Sequence, residues 1–111
     1  MDYSERYNRN RVQYLYELAR SPDLDAAAVR VGLLFATFLQ PEDREEVRPK
    51  YEWLLKHARI KSRTTLAKML VQLEDAGFLR RTKYEGFCTF YSMPFDGDED
   101  WKSSGPKNGL Q

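Results

Sequence analysis

Residues 62–77 constrain the fold of this chain more than any other stretch, because they contain a helix start, an apolar stripe and a stop. Ser62 is a favoured N-cap, since its hydroxyl can accept a hydrogen bond from a free N–H group of the first turn. The apolar residues at helical spacing are Leu66, Met69, Leu70 and Leu73. Gly77 ends the helix because glycine adopts the left-handed conformation at low cost. The rest of the chain must therefore form a core against which the apolar side of this helix packs.

The opposite face of this predicted helix is basic and rich in hydroxyl groups at its N-terminal end. It consists of Arg63, Thr64, Ala67, Lys68, Val71 and Gln72. The acids Glu74 and Asp75 come at the C-terminal end, although the helix dipole favours acids near the N-terminus. This reversed order indicates that the N-terminal end of the helix meets phosphate groups.

Basic charge is concentrated around this helix, although the whole chain has a formal net charge of only +1. Residues 56–83 contain eight basic and two acidic residues, whereas the segments before and after them are both net acidic. Such clustering is typical of an anion-binding face. The alternative is a lysine-rich surface that is simply exposed to solvent.

The length of 111 residues and the 41% hydrophobic content predict one globular domain with a small core. We expect the domain to span residues 1–95 and residues 96–111 to form an acidic, disordered tail. The single cysteine, Cys88, excludes an intramolecular disulfide and fits a reducing compartment. Because neither a signal-peptide pattern nor a long uncharged apolar run is visible, we predict a cytoplasmic chain without a membrane partner.

Residues 1–20 predict a helix with an aromatic surface. Tyr7, Tyr14 and Leu18 recur at heptad-like spacing, and Tyr3 lies nearby. These side chains could pack on the body of the domain. Alternatively, they could form the contact of a homodimer, or the helix could be an arm that touches the DNA backbone. Helical periodicity alone does not separate these interpretations.

Residues 25–40 predict a second helix that is apolar nearly all round. Asp25 suits its N-cap, and Leu24 and Val29 could form a hydrophobic staple around it. A helix that is apolar on every side is expected at the centre of the domain. The segment is too short, and too closely flanked by charge, to span a membrane.

The remaining segments predict one more helix and a hairpin. Pro49 suits the first position of a helix over residues 50–58, and residues 47–48 before it could form a short strand. After Gly77, residues 78–84 and 87–93 are rich in aromatic or β-branched residues and read as two strands joined by a short turn.

The order of these elements, together with one residue pattern, resembles the winged helix-turn-helix superfamily of DNA-binding proteins. The pattern is Ser62-Arg63-x-Thr65-Leu66, then Met69-Leu70, Leu73-Glu74 and Gly77-Phe78-Leu79. It is similar to runs found in many bacterial, archaeal, phage and plasmid regulators. The resemblance covers residues 24–93 and implies an α+β, mainly α fold. That fold is a winged helix-turn-helix with an N-terminal helix, and residues 49–93 form the motif and its C-terminal β-hairpin wing.

The resemblance implies that the helix from Ser62 to Ala76 enters the major groove of double-stranded DNA. The predicted DNA-binding residues are Lys61, Ser62, Arg63, Thr64, Thr65, Lys68, Gln72, Arg80, Arg81 and Lys83. Arg63 could pair with guanine and Gln72 with adenine, because their side chains match the donors and acceptors of those bases. Basic residues of the turn and the hairpin, with Lys56 and Arg59, would contact phosphates and carry no sequence information.

The turn before this helix departs from the family pattern. Many members have an aliphatic residue directly before the serine, whereas this chain has Lys61 there and Ile60 one position earlier. We therefore expect a turn that is either altered or longer by one residue, so the family pattern does not fix the angle between the two helices or the base contacts. The short hairpin also predicts a wing that does not reach deeply into the minor groove.

Catalytic, metal and cofactor sites are not predicted. His57 is the only histidine and Cys88 the only cysteine, so one chain cannot form a Cys/His zinc set. No glycine-rich phosphate loop and no nucleophile motif is present. We expect a protein that is not an enzyme, without a cofactor and without an evident small-molecule ligand.

Two functions from different classes fit these observations. The favoured one is a sequence-specific DNA-binding protein, a small dimeric transcriptional regulator, with a plasmid or phage replication or partition protein as its nearest variant. The other is a protein-interaction module on the same fold, with contacts at Tyr3, Tyr7, Tyr14 and Trp101. The clustered cations favour the first, whereas the near-neutral charge and the altered turn favour the second.

Overall fold

A computed structural model describes residues 3–39, 46–84 and 88–94, without the side chains of residues 3, 4, 84 and 88. In these ranges the chain forms four α-helices and one two-stranded antiparallel sheet. The elements are α1 Tyr3–Arg20, α2 Ala26–Thr37, α3 Tyr51–Ala58, α4 Arg63–Asp75, β1 Arg80–Tyr84 and β2 Cys88–Ser92. The predicted α+β, mainly α class is therefore confirmed. The tail and Trp101 lie outside the described residues.

Helix α1 packs on the body of the domain. Tyr7, Tyr14 and Leu18 are all buried in the core, and the Tyr14 hydroxyl donates a hydrogen bond of 2.8 Å to the Phe78 carbonyl. The rings of Tyr14 and Phe78 also meet edge to face, with centroids 5.4 Å apart. The prediction of a dimer contact at these three side chains is thus corrected, because they are enclosed within their own chain. The side chain of Tyr3 lies outside the described residues.

Helix α2 is central but exposes more apolar surface than its sequence predicts. Ala28, Val31, Phe35 and Ala36 are buried, as expected for the inner side of a core helix. The C-cap Phe38, in contrast, is 77% exposed. Leu33, within α2, is also 40% exposed, so an all-round apolar sequence does not mean all-round burial here.

Helices α1, α2 and α4 meet at Gly32. A Cβ atom at this position would lie 2.8 Å from Leu18 Cδ1 and 3.2 Å from Leu73 Cδ2. The missing side chain thus lets two buried leucines reach the backbone of α2.

Helix α3 is joined to its neighbours at both ends. Val47, just before it, forms an antiparallel bridge with Tyr91 of β2, with two backbone hydrogen bonds of 2.8 Å. The predicted short strand is therefore a single bridge. At the other end, Arg30 of α2 donates a hydrogen bond of 2.7 Å to the carbonyl of Ala58. This bond satisfies a carbonyl that the last helical turn leaves without a partner in the helix.

The turn between α3 and α4 consists of residues 59–62. Arg59 caps α3 in the left-handed conformation, with φ 59° and ψ 48°. Ile60 follows and is buried, and its N–H donates to the Leu55 carbonyl at 3.0 Å. The apolar residue of the turn thus reaches the core one position earlier than in the family pattern, and Lys61 stays exposed.

Helix α4 has the orientation that its sequence predicts. Leu66, Met69, Leu70 and Leu73 are buried, and Ser62 is the N-cap. At the C-terminal end, Gly77 has a φ of 85°, and the Phe78 N–H donates to the Leu73 carbonyl at 2.8 Å. This left-handed stop turns the chain directly into the hairpin.

Strands β1 and β2 form the predicted hairpin. Their register pairs Arg80 with Ser92 and Lys83 with Thr89. Tyr91 is buried, and its ring contacts Phe35 of α2 with centroids 5.5 Å apart. The hairpin is therefore attached to the core through β2. The predicted turn residues between the strands lie outside the described part of the chain.

Candidate nucleic-acid interface

The solvent side of α4 is a stripe of small, polar and basic side chains. Its residues Thr64, Ala67, Lys68 and Val71 are all exposed, and the opposite side of the helix is buried. Spacings of three and four residues place them on one face. We call this set the α4 stripe. It is the surface expected for reading base edges, and its apolar member Val71 is 41% exposed.

The first turn of α4 is closed by its own hydroxyl groups. The Ser62 hydroxyl accepts a hydrogen bond of 3.0 Å from the Thr65 N–H and donates one of 2.9 Å to the Thr65 hydroxyl. The predicted capping role of Ser62 is confirmed. Because the Ser62 hydroxyl donates to Thr65, a phosphate would have to compete with Thr65 for the Ser62 proton.

Arg63 is held beside α4 by two residues of α3. Its guanidinium forms an ion pair of 2.6 Å with the Glu52 carboxylate and lies 5.5 Å from the ring centroid of Tyr51. A hydrogen bond from its own backbone N–H and the ion pair with Arg63 lower the pKa of Glu52, so its carboxylate is charged at neutral pH. Both side chains are largely exposed, so a ligand can displace Glu52 from Arg63 at little cost.

Gln72 is hydrogen-bonded to Asp25, the N-cap of α2. Its amide nitrogen donates a hydrogen bond of 2.9 Å to the Asp25 carboxylate, and its amide oxygen accepts one of 3.0 Å from the Asp25 N–H. Both functional ends of the amide are thus engaged at the start of α2. The pairing of Gln72 with adenine stays a prediction, and it would require Gln72 to leave Asp25, because this double contact uses the donor and acceptor that adenine would need.

The predicted basic residues of β1 differ in what they contact. Arg80 donates a hydrogen bond of 3.0 Å to the Pro94 carbonyl, and Arg81 forms an ion pair of 2.9 Å with Glu74. Lys83 is exposed. The acid at the end of α4 therefore offsets one of the three charges.

A cleft of about 660 Å³ lies between the start of α3, the start of α4 and the hairpin. We call it the basic cleft. Its lining residues are Arg48, Pro49, Lys50, Tyr51, Glu52, Arg63, Arg81, Lys83, Thr89 and Tyr91. Five cations face one acid in this lining. A cleft so composed attracts anions.

The sequence analysis missed the part of this cleft that precedes α3. Arg48 and Lys50 flank Pro49 and contribute two of the five cations, and Tyr51 contributes an aromatic wall. The signal was a basic residue on each side of a proline before a helix. Its position opposite the hairpin was not readable, because the Val47–Tyr91 bridge that sets it joins residues far apart in the chain.

Tyr91 forms the inner wall of the cleft. Burial, together with nearby Tyr51, raises the pKa of the Tyr91 hydroxyl above its ordinary value. The hydroxyl is therefore neutral at physiological pH and adds no negative charge to the cleft. An entering anion is opposed within this lining by the Glu52 carboxylate.

Two further kinds of site concern residues 3–39, 46–84 and 88–94. In these ranges, no group of three or more histidine, cysteine or acidic residues could hold a metal ion. None of the helices there is long and apolar enough to cross a membrane. His57 is exposed and its ring lies against Trp53, with centroids 4.4 Å apart.

Comparisons with known proteins add no relative to these observations. No protein-family model matches the chain, and searches among curated proteins and among solved structures find no match either.

Proposed function

We propose that this chain is a cytoplasmic, sequence-specific double-stranded DNA-binding protein that acts as a small transcriptional regulator. The observation that carries the proposal is the α4 stripe, an exposed helical face beside a cluster of cations. The major groove of B-DNA accepts one α-helix of this kind.

The order of elements supports a winged helix-turn-helix arrangement. Helix α3 is followed by a four-residue turn, α4 and a hairpin, and Val47 adds a bridge to that hairpin. In the proposed complex, α4 is the recognition helix and β1–β2 is the wing. The buried Ile60 keeps the turn packed on the core, so the shifted aliphatic residue is compatible with the motif.

Base contacts are assigned to the α4 stripe and to Arg63. Arg63 reaches guanine by giving up Glu52, since two guanidinium N–H groups match the O6 and N7 acceptors of that base. Ala67 and Val71 suit the methyl group of thymine, and Thr64 and Lys68 can donate to base edges. Gln72 is left out of this set because of its contact with Asp25.

Phosphate contacts are assigned to the surrounding cations. Lys61 is exposed in the turn, and Lys56 and Arg59 are exposed nearby on and after α3. Lys83 reaches the backbone from the wing. Such contacts add affinity that falls as salt rises, because bound cations release counterions from the DNA.

The proposal is tested by fluorescence anisotropy of a labelled random duplex at two salt concentrations. We expect binding that weakens with salt, and a loss of roughly tenfold or more in the variant Lys61→Ala/Arg63→Ala, which removes one turn cation and the guanine reader. Arg9→Ala/Arg20→Ala removes the same charge from the exposed surface of α1 and should change affinity little. No binding at low salt, or equal losses in both variants, would overturn the proposal.

A plasmid or phage replication or partition role uses the same interface and is the nearest variant of the proposal. Selection of the preferred duplex from a random pool separates the two roles. A single short site before a gene supports transcriptional regulation, whereas a repeated array of sites supports replication or partition.

A protein-interaction surface is the second candidate, and exposed apolar side chains favour it. Val12, Tyr16 and Phe38 are 64%, 56% and 77% exposed. These residues replace buried Tyr7 and Tyr14 as candidates for contacts with a partner or a second copy. Sedimentation of the wild-type chain and of Tyr16→Glu tests for a homodimer through this surface, and an unchanged monomer in both would remove it.

A further inference from the structure

We propose that the basic cleft binds a phosphorylated small molecule of nucleotide size, and that its occupation competes with DNA. The competition rests on the proposed function, whereas the binding itself does not. The cleft volume of about 660 Å³ suits a small organic ligand, since such sites measure roughly 300–1,000 Å³.

The phosphate end of the ligand is defined by the cations. Arg48, Lys50, Arg63, Arg81 and Lys83 come from three segments of the chain and line one cavity. All five are exposed, so they meet an anion in an open cleft rather than in an enclosed pocket. Cations that approach from three segments raise the local concentration of anions more than one isolated cation does.

The ring end of the ligand is defined by the aromatic walls. Tyr51 and Tyr91 line the same cavity as the cations, and Thr89 adds a hydroxyl group. Tyr91 is buried with its ring against Phe35, so the half-buried Tyr51 is the ring that can stack on a planar ligand, and hydroxyl groups donate to and accept from polar ring atoms. The combination of phosphate-binding cations with a stacking surface favours a nucleotide over inorganic phosphate alone.

Glu52 favours ligands that carry more than one negative charge. Its carboxylate pairs with Arg63 at 2.6 Å inside the same lining, so an anion must compete with it. A doubly charged phosphate competes better than a singly charged carboxylate does. We therefore expect the cleft to prefer phosphate monoesters to carboxylic acids.

The cleft shares residues with the proposed DNA surface, and this sharing produces regulation. Arg63 and Lys83 are assigned to base and phosphate contacts, and both line the cleft. A bound nucleotide occupies these cations, so it weakens DNA binding by competition. Arg48 and Lys50, in contrast, have no assigned role in DNA binding, which makes them suitable for testing the cleft separately.

The test is a titration of the full chain with AMP and with inorganic phosphate, followed by ¹H–¹⁵N NMR and calorimetry. We expect saturable AMP binding with a Kd of about 1 mM or tighter, and weaker binding of phosphate. Shifted amides should cluster in residues 48–52, at Arg63 and in the paired strands. The variant Arg48→Ala/Lys50→Ala should lose roughly tenfold in AMP affinity, as expected for two charge-assisted contacts, while the control Arg9→Ala/Arg20→Ala should not.

Several outcomes would overturn the inference. These are no saturation with AMP, shifts spread over the whole surface, equal affinity for AMP and phosphate, or unchanged AMP binding in Arg48→Ala/Lys50→Ala. Competition is measured separately, by adding AMP to the duplex anisotropy assay. AMP binding without DNA binding would remove the proposed function and keep the nucleotide site, whereas DNA binding that AMP leaves unchanged would remove the regulation.

Discussion

At the scale of single residues, Tyr14 links α1 to the end of α4. Its hydroxyl is fully buried and donates to the Phe78 carbonyl at 2.8 Å. We expect Tyr14→Phe to lower the free energy of unfolding by about 1–3 kcal/mol, because a buried carbonyl loses its partner. Urea denaturation measures this change. Tyr16→Phe, at an exposed position of the same helix, is the control and should cost less.

The stability of wild type and of Tyr14→Phe should also differ in alkaline solution. Burial raises the pKa of the Tyr14 hydroxyl well above the ordinary value. The neutral hydroxyl is therefore favoured in the folded state. Its contribution to the free energy of unfolding is complete below the unfolded pKa of about 10 and declines as pH rises above it. Wild-type stability should fall more steeply above that pH than the stability of Tyr14→Phe. Parallel curves would show that Tyr14 does not carry the alkaline loss.

Arg59 is the one described residue other than glycine with a positive φ. A left-handed conformation costs a side-chain-bearing residue about 1–2 kcal/mol, whereas glycine adopts it freely but loses roughly 0.5–1 kcal/mol in entropy. We expect Arg59→Gly to raise the free energy of unfolding by about 0.5–1 kcal/mol while weakening DNA binding. Thermal and urea denaturation measure the gain. Lys61→Gly is the matched control in the same turn and should show no gain.

At the scale of elements, the contact between Asp25 and Gln72 connects the start of α2 to the last turns of α4. We expect Gln72→Ala to reduce stability by about 1 kcal/mol, the usual net value of a hydrogen bond. The preferred DNA sequence should stay the same, because Gln72 is not among the base contacts of the proposed complex. Selection of duplexes by the wild type and by Gln72→Ala checks this. A changed preference at an adenine would restore Gln72 as a base reader.

The hairpin and the start of α3 together form the basic cleft, which neither element forms alone. Val47 bridges to Tyr91, so the segment that holds Arg48 and Lys50 is placed against β2. The basic cleft is a consequence of this pairing.

At the scale of the whole molecule, the proposed function makes the acids of the interface a control on how strongly DNA is attracted. Glu52 and Glu74 each pair with one arginine of the interface. We expect Glu52→Gln to raise affinity for random duplex about two- to tenfold, because it frees Arg63 and removes a carboxylate that repels phosphates. Discrimination between sequences should decrease, since Arg63 is then held less rigidly. Anisotropy with random and selected duplexes measures both effects.

The Glu74→Gln variant is the matched control for this prediction, since it removes an equal charge at the far end of α4. Its effect should be smaller and should leave discrimination unchanged. Since the pKa of Glu52 is lowered, its carboxylate is charged at every pH above the usual pKa of a carboxyl group. It is neutralised only when the pH falls below that usual pKa. Wild-type affinity should therefore not respond to Glu52 between about pH 5 and pH 8. An equal gain in both variants would mean that net charge alone sets affinity.

Local patterns in the sequence were sufficient to predict the helices, the hairpin and the solvent face of α4. The Ser62 cap, the leucine and methionine stripe and the Gly77 stop depend on neighbours within a few residues, and all of them are present. The hairpin and the basic solvent face follow from the same short-range rules. A helical period also shows which side of α4 is apolar, and therefore which side remains for solvent.

Contacts between residues distant in sequence determined the burial of α1, the contact of Gln72 and the basic cleft. Burial of Tyr14 and Leu18 followed from α1 packing on α2, which periodicity could not separate from a dimer contact. The amide of Gln72 met Asp25, 47 residues earlier in the chain, and the basic cleft arose where three segments converge. The physical reason is the same in each case. A side chain takes the partner that folding brings within hydrogen-bond distance, and that partner depends on how the helices pack rather than on the residues beside it in sequence.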